Sequence, residues 1–390
     1  MNTENTADNS SRRLAFTGYA AFLLSGFCAI SAGVVVSILK DKYSLNYSLS
    51  GTLLSMMSIG NMLASFAAGI LPSKIGRRAS VLLMSLGYFI GYLLMAFLGS
   101  TGILIGSFIL VGIAKGCVIN NCTILVGNHA PDRTKGMVLM HAGYATGALV
   151  CPFIISALLC INTSAPMIGI AIVGLILWGV FVFAQLPGRS SASAAGSKTK
   201  TDFSFIRQGR FWLLTALIFC QNAAETAVTG WLVTYYKDNG ILSGHLSTYT
   251  VTVMWGATLI GRLLIAFVLR VKDSFKAMAI MGIGCTVFYA LMIGADTPAA
   301  AIILLFAFAA SMAGINPVGM AGIGKSMTGE SVGVLLPIAG LGQIVMPWII
   351  GIVADRIGLN AAMLLDLIPC AGIVALSLII KFTDSHRQDI

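Results

Sequence analysis

The chain has 390 residues, of which 57% are hydrophobic and only 10% are charged, and its mean hydropathy is +0.91. These values exclude an ordinary soluble domain and indicate an integral membrane protein. A formal net charge of +10 suits a nucleic-acid-binding protein, but the basic residues cluster in alternate loops between apolar runs, so we predict no nucleic-acid partner.

Apolar runs of about 20 residues, the length that crosses a bilayer, follow one another along the chain. They predict an all-α membrane protein of twelve transmembrane helices in two homologous six-helix bundles. The predicted spans lie at about 14–39, 48–71, 79–99, 101–126, 137–159, 166–186, 211–236, 248–270, 277–295, 298–323, 331–353 and 361–381.

Twelve spans place both termini on the same side of the membrane. If that side is the cytoplasm, 18 of the 24 Lys and Arg residues lie in cytoplasmic loops and tails. Only Lys40, Lys42, Lys237 and Arg356 then lie outside, and Lys115 and Arg262 fall within spans. The positive-inside rule therefore predicts a multi-pass protein of the inner (plasma) membrane with both termini cytoplasmic.

A long polar segment, rich in Ser, Ala, Gly and basic residues, divides the chain after the sixth span. We predict a cytoplasmic N-terminal tail at 1–13, a six-helix bundle at 14–186, a cytoplasmic linker at 187–210, a second six-helix bundle at 211–381 and a cytoplasmic tail at 382–390.

The two halves also repeat each other in sequence. The segment from Ile59 to Phe66 matches the segment from Ile260 to Phe267 at an offset of 201 residues. At an offset of 195, Asn121, Gly147 and Pro152 recur as Asn316, Gly342 and Pro347. Similar offsets in both parts of each half predict that the two bundles are homologous.

The loop between the second and third spans reads Gly69-Ile-Leu-Pro-Ser-Lys-Ile-Gly-Arg-Arg78. It is similar to the G-x-x-x-D-R-x-G-R-R loop of the major facilitator superfamily, and the resemblance covers nearly the whole chain. It implies a secondary transporter whose conformational loop contains Gly69, Ser73, Lys74, Gly76, Arg77 and Arg78. The family usually has Asp-Arg where this chain has Ser73 and Lys74, so the family's charged latch is not carried over.

Other motifs resemble the fucose permease branch, whose members are sugar:proton symporters. They are Asn121 in the fourth span, Pro131-Asp132-Arg133, the run from His141 to Gly147, and the run from Trp255 to Arg262. The resemblance implies a sugar or sugar derivative as the solute and a proton as the coupling ion.

Lys115 is the only charged residue between Thr101 and Val126. A lysine at the centre of a membrane helix costs roughly 2.5–3.5 kcal/mol on insertion scales, so it is a candidate functional residue. In the superfamily's fold, spans 1, 4, 7 and 10 line a central cavity. The resemblance therefore implies that Lys115 meets the polar residues of spans 7 and 10 there.

In the seventh span, Gln221 and Glu225 share a helix face, with Asn222 one turn from Glu225. We predict that the amides of Gln221 and Asn222 bind the solute. We predict that Glu225 binds and releases the coupling proton. Burial raises the pKa of a carboxyl and a nearby cation, such as Lys115 or a substrate amine, lowers it, so the two effects oppose each other. The alternative is a fixed ion pair between Lys115 and Glu225 that only joins the bundles.

Four further residues are candidates that each have a structural alternative. Arg262 could bind a substrate carboxylate, as an arginine in this span is thought to do in monocarboxylate and oxalate carriers. It could instead donate to carbonyls of a neighbouring helix or pair with Glu225. Asn121 and Asn316 could bind the solute or a neighbouring helix, and Pro317 predicts a local break. His141, near Tyr144, could relay protons or form an interhelical hydrogen bond.

The sequence has no P-loop, nucleophile elbow or metal-ligand cluster, so we predict neither an enzyme nor a cofactor or metal site. The eight cysteines are expected to be buried free thiols. The leading hypothesis is a monomeric, proton-coupled symporter of a small polar solute. The alternatives are a small organic anion transporter or exchanger, a multidrug exporter, and a transporter-like receptor that moves nothing.

Overall fold

The computed structural model describes residues 2–184, 203–269, 271–324 and 329–388. Most of the predicted linker at 187–210 therefore lies outside the described residues, as do the ends of both predicted tails. The described chain contains twelve helices that are long and apolar enough to cross a membrane, and no strand. This confirms the predicted all-α fold with twelve spans.

We number these helices α1 to α12 by their membrane-spanning parts. The bounds are α1 Ser11–Tyr43, α2 Tyr47–Ala68, α3 Arg77–Phe97, α4 Thr101–His129, α5 Lys135–Leu159, α6 Ala165–Phe183, α7 Gly209–Asp238, α8 Gly244–Ile265, α9 Ser274–Ile293, α10 Pro298–Met320, α11 Val334–Ile357 and α12 Leu359–Thr383.

Several of the helices begin at side chains that accept hydrogen bonds from the first-turn backbone. Asp132 accepts from the Lys135 N–H at 3.0 Å, and Asp273 accepts from the N–H groups of Phe275 and Lys276 at 3.0 Å each. Such caps satisfy donors that a helix cannot pair internally. Short polar residues between the apolar runs thus fix where the helices start.

Three helices of the second half are interrupted inside the predicted membrane. The α10 helix stops at Met312 and resumes at Ile315, and α11 is interrupted at Leu341 between segments ending at Gly340 and starting at Gly342. In α12 a short 3₁₀ segment, Leu364–Asp366, separates two α-helical parts. Each break lies near a proline, which lacks the backbone N–H that the helix would use.

The chain divides into two compact units, each with its own core. The first contains residues 1–45 and 56–197, and the second contains residues 46–55 and 198–390. Contacts explain why the start of α2 belongs to the second unit. The Asp355 carboxylate accepts from the N–H groups of Tyr47 and Ser48 at 2.8 and 2.9 Å, and the Ser55 hydroxyl donates to the Ile344 carbonyl at 2.6 Å.

In the first unit, α1 packs closely against α5. A Cβ atom at Gly26 would overlap the Tyr144 carbonyl, and one at Gly147 would overlap the Leu23 carbonyl. Small residues let the two backbones meet without intervening side chains, as is typical of helix pairs in membranes. Buried hydroxyls of Ser25 and Tyr88, 2.8 Å apart, link α1 to α3 on its other side.

Lys42, at the end of α1, is a polar contact between three helices of the first unit. Its Nζ donates to the Ala96 carbonyl at 2.5 Å and to the Ser164 hydroxyl at 2.6 Å. We expect Lys42→Met to lower the stability of this unit by about 1–2 kcal/mol, because charged donors contribute more than neutral ones. The melting temperature of the purified protein measures the loss.

Lys135→Met is the matched control for this change. The Lys135 side chain is 86% exposed and its ion pair with Asp132 is 3.9 Å long, so its removal should leave the melting temperature unchanged. Equal melting temperatures for Lys42→Met and the control would contradict the role of Lys42.

Candidate functional site

A small pocket of about 10 Å³, which is room for about one water molecule, lies inside the second unit, between α7, α8 and α10. Its walls combine one acidic, one basic and two amide side chains with an indole, a hydroxyl and two thioethers. The lining residues are Gln221, Glu225, Met254, Trp255, Thr258, Arg262, Ala309, Met312, Ala313 and Asn316. Four of the residues proposed from the sequence therefore line one cavity.

An amide connects the carboxylate of α7 to the broken helix α10. The Gln221 Nε2 donates to Glu225 Oε2 at 2.5 Å, and the Gln221 Oε1 accepts from Asn316 Nδ2 at 3.2 Å. Gln221 is buried, whereas Glu225 and Asn316 are half-buried. The shared face predicted for Gln221 and Glu225 is therefore present, and their polar ends reach the pocket.

Thr229 lies one turn beyond Glu225 on α7, but its hydroxyl does not reach the carboxylate. It donates to the Glu225 backbone carbonyl at 2.6 Å, which is a bond within α7. The Glu225 carboxylate thus receives its hydrogen bond from Gln221, and Thr229 supports the helix backbone beneath it.

Arg262 explains how the break in α10 is tolerated. Pro317 has no N–H, so the carbonyl of Ala313, four residues earlier, loses its normal helical donor. The Arg262 Nε donates to that carbonyl at 3.4 Å. A polar backbone group inside the membrane needs such a partner, because lipid supplies none. The break that Asn316 and Pro317 predicted is present just before them, at Ala313 and Gly314, and Arg262 lies at both the break and the pocket.

Asn222 performs the same task at the neighbouring break in α11. Its Nδ2 donates to the Ala339 carbonyl at 3.1 Å, and the residue is buried. It is not among the residues that line the pocket. The side chain thus supports an interrupted helix, while its neighbour Gln221 faces the cavity.

The candidates of the first unit lie on α4 and α5. Lys115 is half-buried on α4, and Asn121 is buried with its Nδ2 donating to the Cys117 carbonyl at 2.9 Å. That bond lies within α4. The adjacent Asn120 is half-buried. His141 is exposed on α5, and its ring meets Phe22 edge-on with the centroids 5.4 Å apart.

The conformational loop predicted from the family pattern has a second copy that sequence reasoning missed. Gly351, Asp355, Arg356 and Gly358 repeat the spacing of Gly69, Ser73, Lys74 and Gly76 at an offset of 282 residues. Gly76 has φ and ψ of 83° and 153°, and Gly358 has 87° and 155°, and each precedes the first turn of a helix. Only glycine adopts this conformation readily. The second copy could have been found in the sequence, because the spacing of its residues matches that of the first copy.

The two copies of this loop differ in how their polar residues are used. The Ser73 hydroxyl donates to the Ile70 carbonyl of its own helix at 2.7 Å, and Arg78 Nη2 donates to the Val182 carbonyl at the end of α6 at 3.0 Å. In the second copy, Asp355 caps the start of α2. The carboxylate absent from position 73 is therefore present and engaged at position 355.

Three pocket residues were also missed. Met254 and Trp255 lie four and three residues before Thr258, which lies four residues before Arg262, so all three share the face of Arg262, a signal that periodicity could have supplied. Asp366 is 0% exposed within α12. Cys160 is exposed, which corrects the expectation that all the thiols are buried. Among the described residues, no group of three His, Cys, Asp or Glu side chains could hold a metal ion.

A twelve-helix membrane protein with proline-broken helices, one of which lines a small pocket, is typical of the secondary transporters. Residues 18–336 match the profile of the Major Facilitator Superfamily, and the chain belongs to that family. It is therefore a multi-pass membrane transporter of small solutes and not an enzyme.

Curated relatives of the chain include transporters with different named solutes. Protein TsgA of Escherichia coli O157:H7 is 21% identical over 97% of this chain and 98% of its own length. The gallate transporter of Pseudomonas putida is 21% identical, with 66% of this chain matching 65% of that protein. The glucose transporter GlcP of Staphylococcus epidermidis is 26% identical, but the match spans only 40% of this chain and 36% of that protein.

Solved structures share the fold at lower identity. The nucleoside transporter NupG is 14–16% identical, and one of its structures covers 96% of this chain and 98% of its own with a TM-score of 0.74. A bacterial homologue of the human lysosomal transporter Spinster is 12% identical, covers 96% of this chain and 97% of its own, and has a TM-score of 0.75. At these identities the likeness establishes the fold alone.

Proposed function

We propose that the protein is a proton-coupled symporter of a small polar solute, a sugar or sugar derivative, whose binding site includes the residues that line the pocket of the second unit. The observation that carries the proposal is the hydrogen-bonded series Glu225, Gln221 and Asn316 in that pocket. A carboxylate and two amides offer donors and acceptors at one site, as recognition of several hydroxyl groups requires. The indole of Trp255 adds an apolar wall.

In this proposal Glu225 carries the proton. Among the described residues it is the only carboxylate that lines the pocket, and it is hydrogen-bonded to an amide that also contacts α10. A change in the position of α10 would alter the hydrogen bonding of Gln221 and hence of Glu225. Protonation and solute binding are thereby linked through one residue.

Arg262 favours a second candidate, a small organic anion. Its guanidinium lines the same pocket, and an arginine fork fits a carboxylate well. The bond from its Nε to Ala313 does not occupy all five guanidinium N–H donors. The names of the gallate and glucose transporters among the relatives agree with either candidate.

A thermal-shift screen of sugars against small carboxylates distinguishes the two candidates. A ligand that binds the folded state raises its melting temperature, by an amount that grows with ligand concentration. We expect sugars to raise the melting temperature and simple carboxylates to leave it unchanged. A shift with carboxylates alone would replace the first candidate with the second.

The second candidate makes its own prediction for Lys115. If the solute is an anion, Lys115→Ala should weaken its binding by about tenfold, which corresponds to about 1.4 kcal/mol, and should spare a neutral analogue. Equilibrium binding of the two compounds to the purified variant measures the difference. Equal losses for both compounds would assign Lys115 a purely structural role.

The remaining features of the proposal come from sequence. We place the protein in the inner membrane with both termini cytoplasmic, because 18 of the 24 basic residues then lie inside. We also propose that it works as a monomer and that His141 assists proton movement. Asn121 is proposed as a solute contact only secondarily, since its amide already donates to Cys117.

A further inference from the structure

A buried carboxyl group lies in the second unit, apart from the residues that line the polar pocket. Asp366 is 0% exposed, and neither of its carboxylate oxygens has a hydrogen-bond partner among the described residues. Natural proteins rarely leave a buried carboxyl in this condition, because isolated charge in an apolar environment is strongly unfavourable. The residue therefore requires a physical explanation.

The local backbone provides part of that explanation. Asp366 ends the 3₁₀ segment Leu364–Asp366, which interrupts α12 roughly 10 Å from its first residue. Pro369 has no N–H to donate to the carbonyl of Leu365, so a regular helix cannot pass through this point. A 3₁₀ segment inside a long helix commonly marks a functional hinge, and transporters place ion sites at such breaks.

The Met363 carbonyl loses its helical donor at this break but has another hydrogen-bond partner. The N–H of Leu367 donates to the carbonyls of Leu364 and Leu365, and not to that of Met363. The Tyr289 hydroxyl, from α9, donates to Met363 at 2.8 Å. Tyr289 has thus used its single proton on the backbone, and it has none left to give to Asp366.

The groups around Asp366 provide no positive charge. Cys285 and Tyr289 of α9 and Cys370 of α12 lie near enough to interact with it electrostatically. From α7, Cys220 faces Cys370, and Tyr235 and Tyr236 face Tyr289. The charged residues of α11, Asp355 and Arg356, are exposed at its end, and Asp355 binds the start of α2.

An ionised Asp366 would therefore have neither a counter-charge nor a strong donor among these neighbours. A protonated carboxyl removes the charge, which is the most unfavourable feature of this group in an apolar site. We propose that Asp366 is a proton-binding site at the break in α12, occupied by a proton in this conformation and distinct from Glu225. Release of the proton requires water to enter between α7, α9 and α12.

Infrared spectroscopy of the purified protein in lipid tests the proposal without reference to any solute. We expect the carbonyl stretch of a protonated carboxylic acid at neutral pH, its reversible loss at alkaline pH, and its absence from Asp366→Asn. Asp296→Asn, which changes an exposed carboxyl between α9 and α10, is the matched control and should leave the band unchanged.

Three results would overturn the proposal. They are identical spectra for the wild type and Asp366→Asn, a band that persists at every pH at which the protein stays folded, and a band removed by sodium ions and not by pH. If Asp366→Asn does not fold, the pH titration of the wild-type band still tests the proposal. Glu225→Gln then shows whether Glu225 contributes to that band.

A transport measurement extends the test and rests on the proposed symport. The number of protons moved per solute, obtained from reversal potentials in proteoliposomes, should fall in Asp366→Asn, whereas Glu225→Gln should lose proton coupling altogether, because Glu225 lines the solute pocket. An unchanged number would overturn a coupling role for Asp366. If the wild type moves no protons with its solute, the symport proposal fails. The infrared experiment still tests proton binding by Asp366 independently, because it involves no solute.

Discussion

Glu225→Gln should abolish the accumulation of solute driven by a pH gradient and leave counterflow of labelled solute measurable. The glutamine cannot bind or release a proton at this position, yet its amide oxygen can still accept the hydrogen bond from Gln221 Nε2. Net accumulation against a gradient needs the proton, whereas exchange needs only an intact pocket. Proteoliposomes with and without an imposed pH gradient separate the two activities.

Two variants make this measurement specific. Gln221→Leu removes the amide that joins Glu225 to Asn316, so it should weaken both accumulation and counterflow by disturbing the pocket. Asp296→Asn removes an exposed carboxyl and should change neither activity. Accumulation by Glu225→Gln at the wild-type level would eliminate Glu225 as the proton carrier.

Arg262→Met should lower the melting temperature of the protein, and Pro317→Ala in the same chain should restore it. The single change leaves the Ala313 carbonyl without a donor, at a cost of about 1–2 kcal/mol for a buried acceptor. Alanine at position 317 supplies the missing N–H, which can bond to Ala313 and continue the helix.

The double variant also separates the structural role of Arg262 from a role in solute binding. If the arginine serves only the broken helix, the doubly substituted protein recovers both its melting temperature and its affinity. If the arginine also binds a carboxylate, stability returns and affinity for the anion does not. A double variant no more stable than Arg262→Met would show that the Ala313 bond does not explain the arginine.

Part of the candidate site was open to prediction from sequence. The spacing of Gln221 and Glu225 indicated a shared polar face on α7, and the Asn316-Pro317 pair indicated the break in α10. Both signals are local, because they depend on helix geometry and on the chemistry of proline. The resemblance of the loop from Gly69 to Arg78 to the superfamily also agreed with the family match.

Other parts of the candidate site depend on which helices pack together and on the depth in the membrane at which their residues meet. The sequence left three partners open for Arg262, namely a substrate carboxylate, a helix carbonyl and Glu225, and only the position of α10 beside α8 paired it with the Ala313 carbonyl. Asn222 and Gln221 are adjacent in the chain, yet one supports α11 and the other faces the pocket. Asp366 could be placed only approximately, because its depth and neighbours depend on the packing of α7, α9 and α12.

The sequence by itself determined that this protein has twelve apolar helices, two related halves and a small set of polar residues inside the membrane. It could do so because helix length and hydropathy are properties of single segments. The tertiary structure decided which polar groups are paired. Helices apolar on nearly every side give little indication of their rotation or neighbours, so the hydrogen bonds of Gln221 and Arg262 and the isolation of Asp366 are decided only when the helices pack.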